Sequence, residues 1–290
     1  FFLVLGMALC LTGSPVHAAD FIQDHKASIE EQLATISTVK NRRKLAAFYS
    51  DLGTLRYKES RIPEAIEAFE KALTFSLSGS QKRHVYFFLG KSYELAGRLD
   101  KTLENYQFAL QYDRKNFRRH RDLGYIYEKI GLLDKAVESY NQALKLKGGE
   151  HEVYLALGRT YRKIGLYKEA EEALKETYRL QSRSPELQME FSLVYEGEGR
   201  YGEAAYALLG MLGPQSPSTD WGRLIYLAAL SDNKQLANQG LNQLREIETS
   251  RETLPFYEEL VDFVNRSETK INPVSISHPA LRALVQTILN

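Results

Sequence analysis

The sequence predicts an all-α fold, a right-handed superhelical solenoid of helix-turn-helix repeats with an entry helix and C-terminal capping helices. The first observation is a period of 34 residues, in which Leu123-Gly124 recurs as Leu157-Gly158. The second is that small residues recur at two places in each period, and the third is apolar spacing typical of helices. A fixed period in this range is typical of solenoids. Other matched positions are Tyr127 and Tyr161, Gly131 and Gly165, and Ala136 and Ala170.

This pattern resembles the tetratricopeptide repeat, which reads W-x2-L-G-x2-Y followed by a small residue and then an aromatic. The resemblance predicts a solenoid of about six repeats over residues 46–250. The Leu-Gly pair occurs in the first four repeats, at Leu52-Gly53, Leu89-Gly90, Leu123-Gly124 and Leu157-Gly158. The fifth repeat has Phe191-Ser192 instead, and the sixth keeps Trp221, Leu224 and Ala237. Degenerate outer repeats are expected, because terminal units cap the stack.

Small residues mark the place where the two helices of each repeat, helix A and helix B, are expected to cross. Glycine inside a helix costs about 1 kcal/mol relative to alanine, so its recurrence predicts a compensating gain in packing. The helix-A positions are Gly53, Gly90, Gly124, Gly158 and Ser192, and the helix-B positions are Ala65, Thr102, Ala136, Ala170, Ala204 and Ala237. A second glycine series is expected to end helix A in a left-handed conformation. Its members are Gly97, Gly131, Gly165 and Gly199.

Residues 1–18 read as a signal peptide. An apolar run over residues 1–11 is followed by Val16-His17-Ala18, which is typical of a cleavage site. The run is far shorter than the roughly 20 residues that span a bilayer. No initiator Met or basic segment precedes it, so the given start is expected to be clipped. The alternative is a retained N-terminal anchor. Cys10 is the only cysteine, which excludes disulfides and cysteine zinc sites from the rest of the chain.

The segments on either side of the repeats are expected to be helical. Residues 19–45 carry apolar side chains on one helical face and predict an entry helix. Residues 251–290 predict either C-terminal capping helices or the start of a further region. The Leu-Gly pairs of repeats one and two lie 37 residues apart, and the extra residues are expected to lengthen a loop at Ser76–Ser80.

The composition and motifs predict that the protein is not an enzyme and holds no metal or cofactor. With 38 basic and 37 acidic side chains, the bulk charge favours neither nucleic acid nor a membrane surface. Residues 197–202 match G-x-G-x-x-G, but a dinucleotide site needs a preceding strand, and here Gly199 aligns with the turn glycines. The histidines are scattered, and no pair has the i, i+4 spacing of a metal site.

The resemblance implies that positions 2, 5, 9, 12 and 13 of helix A line a concave face. These are His84, Phe87, Lys91, Glu94 and Leu95 in repeat two, Arg118, Arg121, Tyr125, Glu128 and Lys129 in repeat three, and Glu152, Leu155, Arg159, Arg162 and Lys163 in repeat four. A basic groove with aromatic faces suits carboxylates and other anions. The asparagines of the carboxylate clamp in chaperone-binding relatives are absent. The alternative interpretation of the basic cluster at residues 114–121 is a solvated loop and first helical turn.

The function expected from these features is a non-enzymatic scaffold in the bacterial cell envelope. Its concave groove would bind a peptide or helical segment of another protein. The resemblance also implies an alternative, the periplasmic part of outer-membrane exopolysaccharide export or phage-adsorption machinery, with an anionic polysaccharide as ligand. The mature chain is expected to be exported, to lie in the periplasm or at the outer membrane, to span no membrane and to bind no nucleic acid.

Overall fold

The computed structural model describes residues 42–181, 184–247 and 254–266. These ranges hold thirteen α-helices and no strand. The helices are α1 (Arg42–Lys58), α2 (Ile62–Leu73), α3 (Gly79–Leu95), α4 (Leu99–Gln111), α5 (Phe117–Lys129), α6 (Leu133–Leu146), α7 (His151–Ile164), α8 (Tyr167–Leu180), α9 (Pro185–Gly197), α10 (Tyr201–Leu209), α11 (Ser218–Leu230), α12 (Lys234–Glu246) and α13 (Leu254–Arg266). The predicted signal peptide, the entry helix up to residue 41 and the last predicted helix lie outside the described residues.

The helices pair as hairpins in chain order, each odd-numbered helix up to α11 packing most extensively on the helix that follows it. The chain divides into two compact units after Gly148. Unit 1 contains α1–α6 and unit 2 contains α7–α13. Within unit 1, α1 also packs on α3, and within unit 2, α7 packs on α9, so successive A helices are neighbours. No helix in the described ranges combines the length and apolar character that a membrane span requires.

The recurring helix-A glycines lie against large side chains of helix B. A Cβ atom added at Gly124 would lie 2.7 Å from the ring of Tyr140, and one at Gly90 would lie 2.5 Å from the ring of Tyr106. The same atom at Gly158 would lie 2.7 Å from a methyl group of Leu174. The helix-B small residues are fully buried, namely Ala65, Thr102, Ala136, Ala170 and Ala204. The glycine therefore leaves room for the bulky side chain one turn after the small helix-B residue.

At the helix crossing of repeat six, the glycine lies on helix B instead of helix A. Its first helix has Ile225 where the other repeats have glycine or Ser192. In α12, the glycine is on the opposite helix, because a Cβ atom added at Gly240 would lie 2.8 Å from Cγ1 of Ile225. The crossing of repeat six thus also sets a glycine against a larger side chain, with the glycine on helix B.

The turn glycines have the predicted conformation. The φ angles of Gly97, Gly131, Gly165 and Gly199 are 72°, 81°, 87° and 74°, so the left-handed prediction is confirmed. Ser60 and Asp232 occupy the equivalent turns of repeats one and six with φ angles of 60° and 53°. The G-x-G-x-x-G match is also a turn, because α9 ends at Gly197 and α10 begins at Tyr201.

The predicted longer loop at Ser76–Ser80 is wrong. The segment between α2 and α3 is Thr74–Ser78, and the extra residues instead lengthen α3 to 17 residues. Ser78 accepts a hydrogen bond from the backbone N–H of Gln81 at 3.3 Å, and the Gln81 side chain accepts one from the Ser78 backbone N–H at 2.9 Å. This capping box satisfies two N–H groups at the helix start, and it therefore starts α3 earlier.

Candidate functional site

Side chains from successive A helices of unit 1 contact one another and form a common face. The Nε2 atom of His84 lies 2.9 Å from Oγ1 of Thr54 on α1. The Nζ atom of Lys129 on α5 lies 3.9 Å from a carboxylate oxygen of Glu94 on α3. The helix-A face of unit 1 is defined here as His84, Phe87, Lys91, Glu94, Leu95, Arg118, Arg119, Arg121, Tyr125, Glu128 and Lys129. The contacts bring the predicted residues of repeats two and three together within one unit.

Arg119 is the arginine that covers the aromatic part of this face. Its guanidinium carbon lies 3.3 Å from the centroid of the Phe87 ring, which stacks on Tyr106 at 5.9 Å. The Arg119 side chain also approaches Asp122 at 3.8 Å, and its Nε atom is buried without a hydrogen-bond partner among the described residues. Burial lowers the pKa of Arg119. The guanidinium of Arg119 is thus held against an aromatic ring by a cation–π contact.

Sequence reasoning selected the two neighbours of Arg119 instead. Arg118 is exposed and lies over Phe117 of its own helix, with 5.3 Å between the guanidinium carbon and the ring centroid. Arg121 donates to Asp122, with 3.0 Å between Nη2 and Oδ1. The signal for Arg119 was its place in the basic cluster at residues 114–121. Its contact with Phe87, which lies in the preceding repeat, cannot be read from spacing within one helix.

The carboxylate of Glu94 is approached by both lysines of this face, Lys91 and Lys129. It accepts a hydrogen bond from the Tyr106 hydroxyl at 2.9 Å. Lys91 and Lys129 approach it at 4.0 and 3.9 Å. Burial and then the charge of Glu94 strongly raise the pKa of Tyr106, which therefore remains a donor. A hydrogen bond from Lys129 to Tyr125 raises the pKa of that lysine. Two ammonium groups thus share one carboxylate.

Among the other predicted residues of unit 1, His84 packs against neighbouring side chains, whereas Leu95 and Tyr125 are exposed. Burial, followed by the charges of nearby cations, lowers the pKa of His84, and its ring packs 4.7 Å from that of Phe88. His84 therefore supports the face as a neutral side chain. In contrast, Leu95 is 63% exposed and Tyr125 is 40% exposed. These two apolar side chains are available to a ligand beside the lysines.

In unit 2, the two predicted arginines are paired with carboxylates of a neighbouring A helix. Arg159 lies 3.5 Å from Glu186, and Arg162 donates from Nε to Glu190 at 2.9 Å. Arg223 on α11 likewise donates to Glu196 on α9. The partners were missed because the expected face stopped at repeat four, and both Glu186 and Glu190 belong to repeat five. These pairs match each predicted arginine with an acidic side chain.

Leu155, the apolar residue predicted for the unit 2 face, packs against the buried core around Leu174 and Leu187. Leu155 therefore contributes to the packing between repeats four and five. Within the described part of the chain, no group of three or more His, Cys, Asp or Glu side chains could hold a metal ion.

Comparisons with known proteins agree with this architecture. Two family models described as tetratricopeptide repeat match residues 122–149 and 155–218. A comparison with curated proteins finds no match. A tetratricopeptide repeat protein from Parabacteroides merdae has a TM-score of 0.60 at 15% identity, covering 85% of this chain and all of its own.

Two further solved structures show the same fold. The PilF structure of Pseudomonas aeruginosa has a TM-score of 0.54 at 18% identity, covering 75% of this chain and 98% of its own. The crystal structure of MamA protein has a TM-score of 0.54 at 22% identity, covering 58% of this chain and 91% of its own. With its helical hairpins, its crossing glycines and these matches, the chain is a tetratricopeptide-repeat protein.

Proposed function

We propose that this protein is a non-enzymatic scaffold that binds a segment of another protein on the helix-A face of unit 1. The observation that carries the proposal is the pair of lysines around Glu94, next to exposed Leu95 and Tyr125. The Arg119 guanidinium over Phe87 extends the same surface. Cations beside apolar side chains favour a segment that combines carboxylates with apolar residues. An extended or helical segment would be held there as in other helix-lined grooves.

The proposed location is the bacterial cell envelope, in the periplasm or at the outer membrane. The proposal rests on the apolar run and small residues of positions 1–18. Similarity in fold to bacterial proteins, including PilF of Pseudomonas aeruginosa, supports a bacterial host. A second candidate is a periplasmic part of outer-membrane exopolysaccharide export or phage-adsorption machinery. It is favoured by the same lysines and arginines, because an anionic polysaccharide would also bind them.

The experiment is capture of partners from a periplasmic extract on the immobilised full chain, with the bound proteins identified by mass spectrometry. Lys91→Glu combined with Lys129→Glu places two negative charges around Glu94. We expect this double variant to lose about tenfold or more of the captured partner, because close charge pairs couple by about 1.5 kcal/mol or more.

The matched control is Lys135→Glu combined with Lys145→Glu on α6, where both side chains are exposed. It makes the same charge change within unit 1 but on a B helix, and it should capture the partner as the wild type does. Equal capture by the face variant, with unchanged helix content, would contradict the proposed site. Retention of an acidic polysaccharide and of no protein would favour the export alternative.

A further inference from the structure

A cavity of about 270 Å³ opens to solvent between α2, α3 and α4 of unit 1. None of its lining residues belongs to the helix-A face. Apolar contacts come from Leu73 and Leu89, and the remaining walls combine aromatic rings with acidic and amide side chains. The volume is slightly below the range of about 300–1,000 Å³ for sites of drug-sized ligands. The cavity is therefore suited to a single side chain or another small group.

One wall of the cavity is aromatic. The ring centroids of Tyr86 and Phe108 lie 5.0 Å apart, and both residues line the cavity. The ring of Tyr112 stacks on Tyr86 at 6.3 Å and extends this aromatic group. The ammonium group of Lys82 already lies 5.9 Å from the Tyr112 ring. Aromatic rings attract cations through their negative faces, and the contact of Lys82 with Tyr112 is of this kind.

The polar part of the cavity is acidic. Glu70 accepts a hydrogen bond from the Tyr93 hydroxyl, which orients its carboxylate. Glu104 pairs with Lys101 at 3.2 Å, and the two side chains are 50% and 42% exposed. These two carboxylates exceed the single ammonium group of the lining residues by one charge. An exposed pair contributes little, so an incoming cation can displace Lys101 from Glu104.

The next junction between repeats of unit 1 lacks this combination of residues. It is formed by α4, α5 and α6, and it has the same helical packing. The residues that correspond to Glu70, Tyr86 and Phe108 there are Gln107, His120 and Gln142. Glu104 has an equivalent there, Glu138, but the second carboxylate and the two aromatic rings have none. Repeat packing alone therefore does not require this lining.

We propose that this cavity binds the basic side chain of an arginine or lysine on a partner protein. The guanidinium or ammonium group would lie against Tyr86 and Phe108 and would be paired with Glu104 and Glu70. The cavity would thus be a second contact surface. It would bind cationic side chains, whereas the helix-A face would bind carboxylates. A partner that carries both acidic and basic segments would use both surfaces.

The test is a titration of the isotope-labelled full chain with N-acetyl-arginine amide, followed by amide chemical shifts. We expect saturable shifts at residues of α2, α3 and α4, and no such shifts with N-acetyl-glutamine amide. Glu104→Gln should weaken binding about tenfold, as expected for loss of a charge-assisted contact of about 1.4 kcal/mol. Glu138→Gln, at the same helix position in the next repeat, should bind as the wild type does.

The titration uses no partner protein, so its outcome is independent of the proposed helix-A face. Absence of saturable shifts with the arginine probe would overturn the proposal. Equal affinity of Glu104→Gln and the wild type would do the same. Saturable shifts with maltotriose but not with the arginine probe would assign the cavity to carbohydrate. Unchanged helix content and melting temperature of both variants would show that they are folded.

Discussion

The A helices of both units carry cations, but these cations differ between the units in what they contact. In unit 2, Arg162 reaches Glu190 on the next A helix at 2.9 Å, and Glu190 is only 7% exposed. In unit 1, Lys129 reaches Glu94 at 3.9 Å, and this carboxylate is shared with Lys91. Both contacts join adjacent repeats, but the one in unit 2 is shorter and involves a buried carboxylate. The lysines of unit 1 are those that we propose bind a ligand. The comparison shows that a cation on a helix-A face has no fixed role.

The largest expected effect tests whether helix crossings in the two units are equally tight. Gly124→Leu in unit 1 should lower the free energy of unfolding by about 1–3 kcal/mol, because the rigid ring of Tyr140 lies at 2.7 Å. Gly158→Leu in unit 2 should cost less, since Leu174 can change rotamer. Urea denaturation of both variants measures the difference. An unchanged melting temperature for Gly124→Leu would contradict the assigned repeat register.

The next effect concerns the ion pairs of unit 2. Arg162→Ala should destabilise the protein by about 1–2 kcal/mol, because it leaves the buried carboxylate of Glu190 without its partner. Arg162→Ala combined with Glu190→Leu should recover part of that loss. The free energies from urea denaturation form a double-mutant cycle, and a coupling energy near zero would show that the pair does not stabilise unit 2.

Tyr93 in unit 1 and Tyr195 in unit 2 each contribute to an expected pH dependence of stability. Burial, together with a hydrogen bond to Glu70, raises the pKa of Tyr93 from 10.0 to about 12. Burial and the charge of Glu171 raise that of Tyr195 to about 12 as well. Above pH 10 the unfolded chain loses these protons first. The associated stability is therefore present below pH 10 and is lost as the pH rises to about 12.

Single substitutions of the two tyrosines distinguish this effect from general alkaline unfolding. Tyr93→Phe and Tyr195→Phe should each make thermal stability less dependent on pH between 10 and 12. Melting temperatures at several pH values provide the measurement. An identical slope in the wild type and in both variants would show that neither hydroxyl is responsible.

The smallest expected effect concerns the lysines of unit 1. Lys129→Ala and Lys91→Ala should each change the free energy of unfolding by less than about 0.5 kcal/mol, because partly exposed pairs contribute little. The same urea denaturation measurement applies. A loss as large as that of Arg162→Ala would remove the contrast between the two units and assign these lysines to stability.

Local sequence signals predicted the helices and turns well. The recurrence of Gly131 as Gly165 indicated left-handed turns, and both glycines have positive φ angles. The one error in length came from Ser78, whose capping box with Gln81 starts α3 earlier than the repeat pattern implied. The candidate site was predicted less well. Helical position alone pointed to Arg118 and Arg121, while the contact with Phe87 is made by Arg119.

The sequence by itself determined the period, the hairpin order and the crossing positions, because each depends on residues within one repeat. Backbone propensity and local packing are sufficient for these features. Only the tertiary structure decided which cations are paired, since Glu190 and Glu94 reach their partners from other helices. It also decided where the aromatic and acidic cavity lies, because its walls come from three helices of two repeats. Contacts between repeats depend on the relative positions of helices, which a single repeat sequence does not contain.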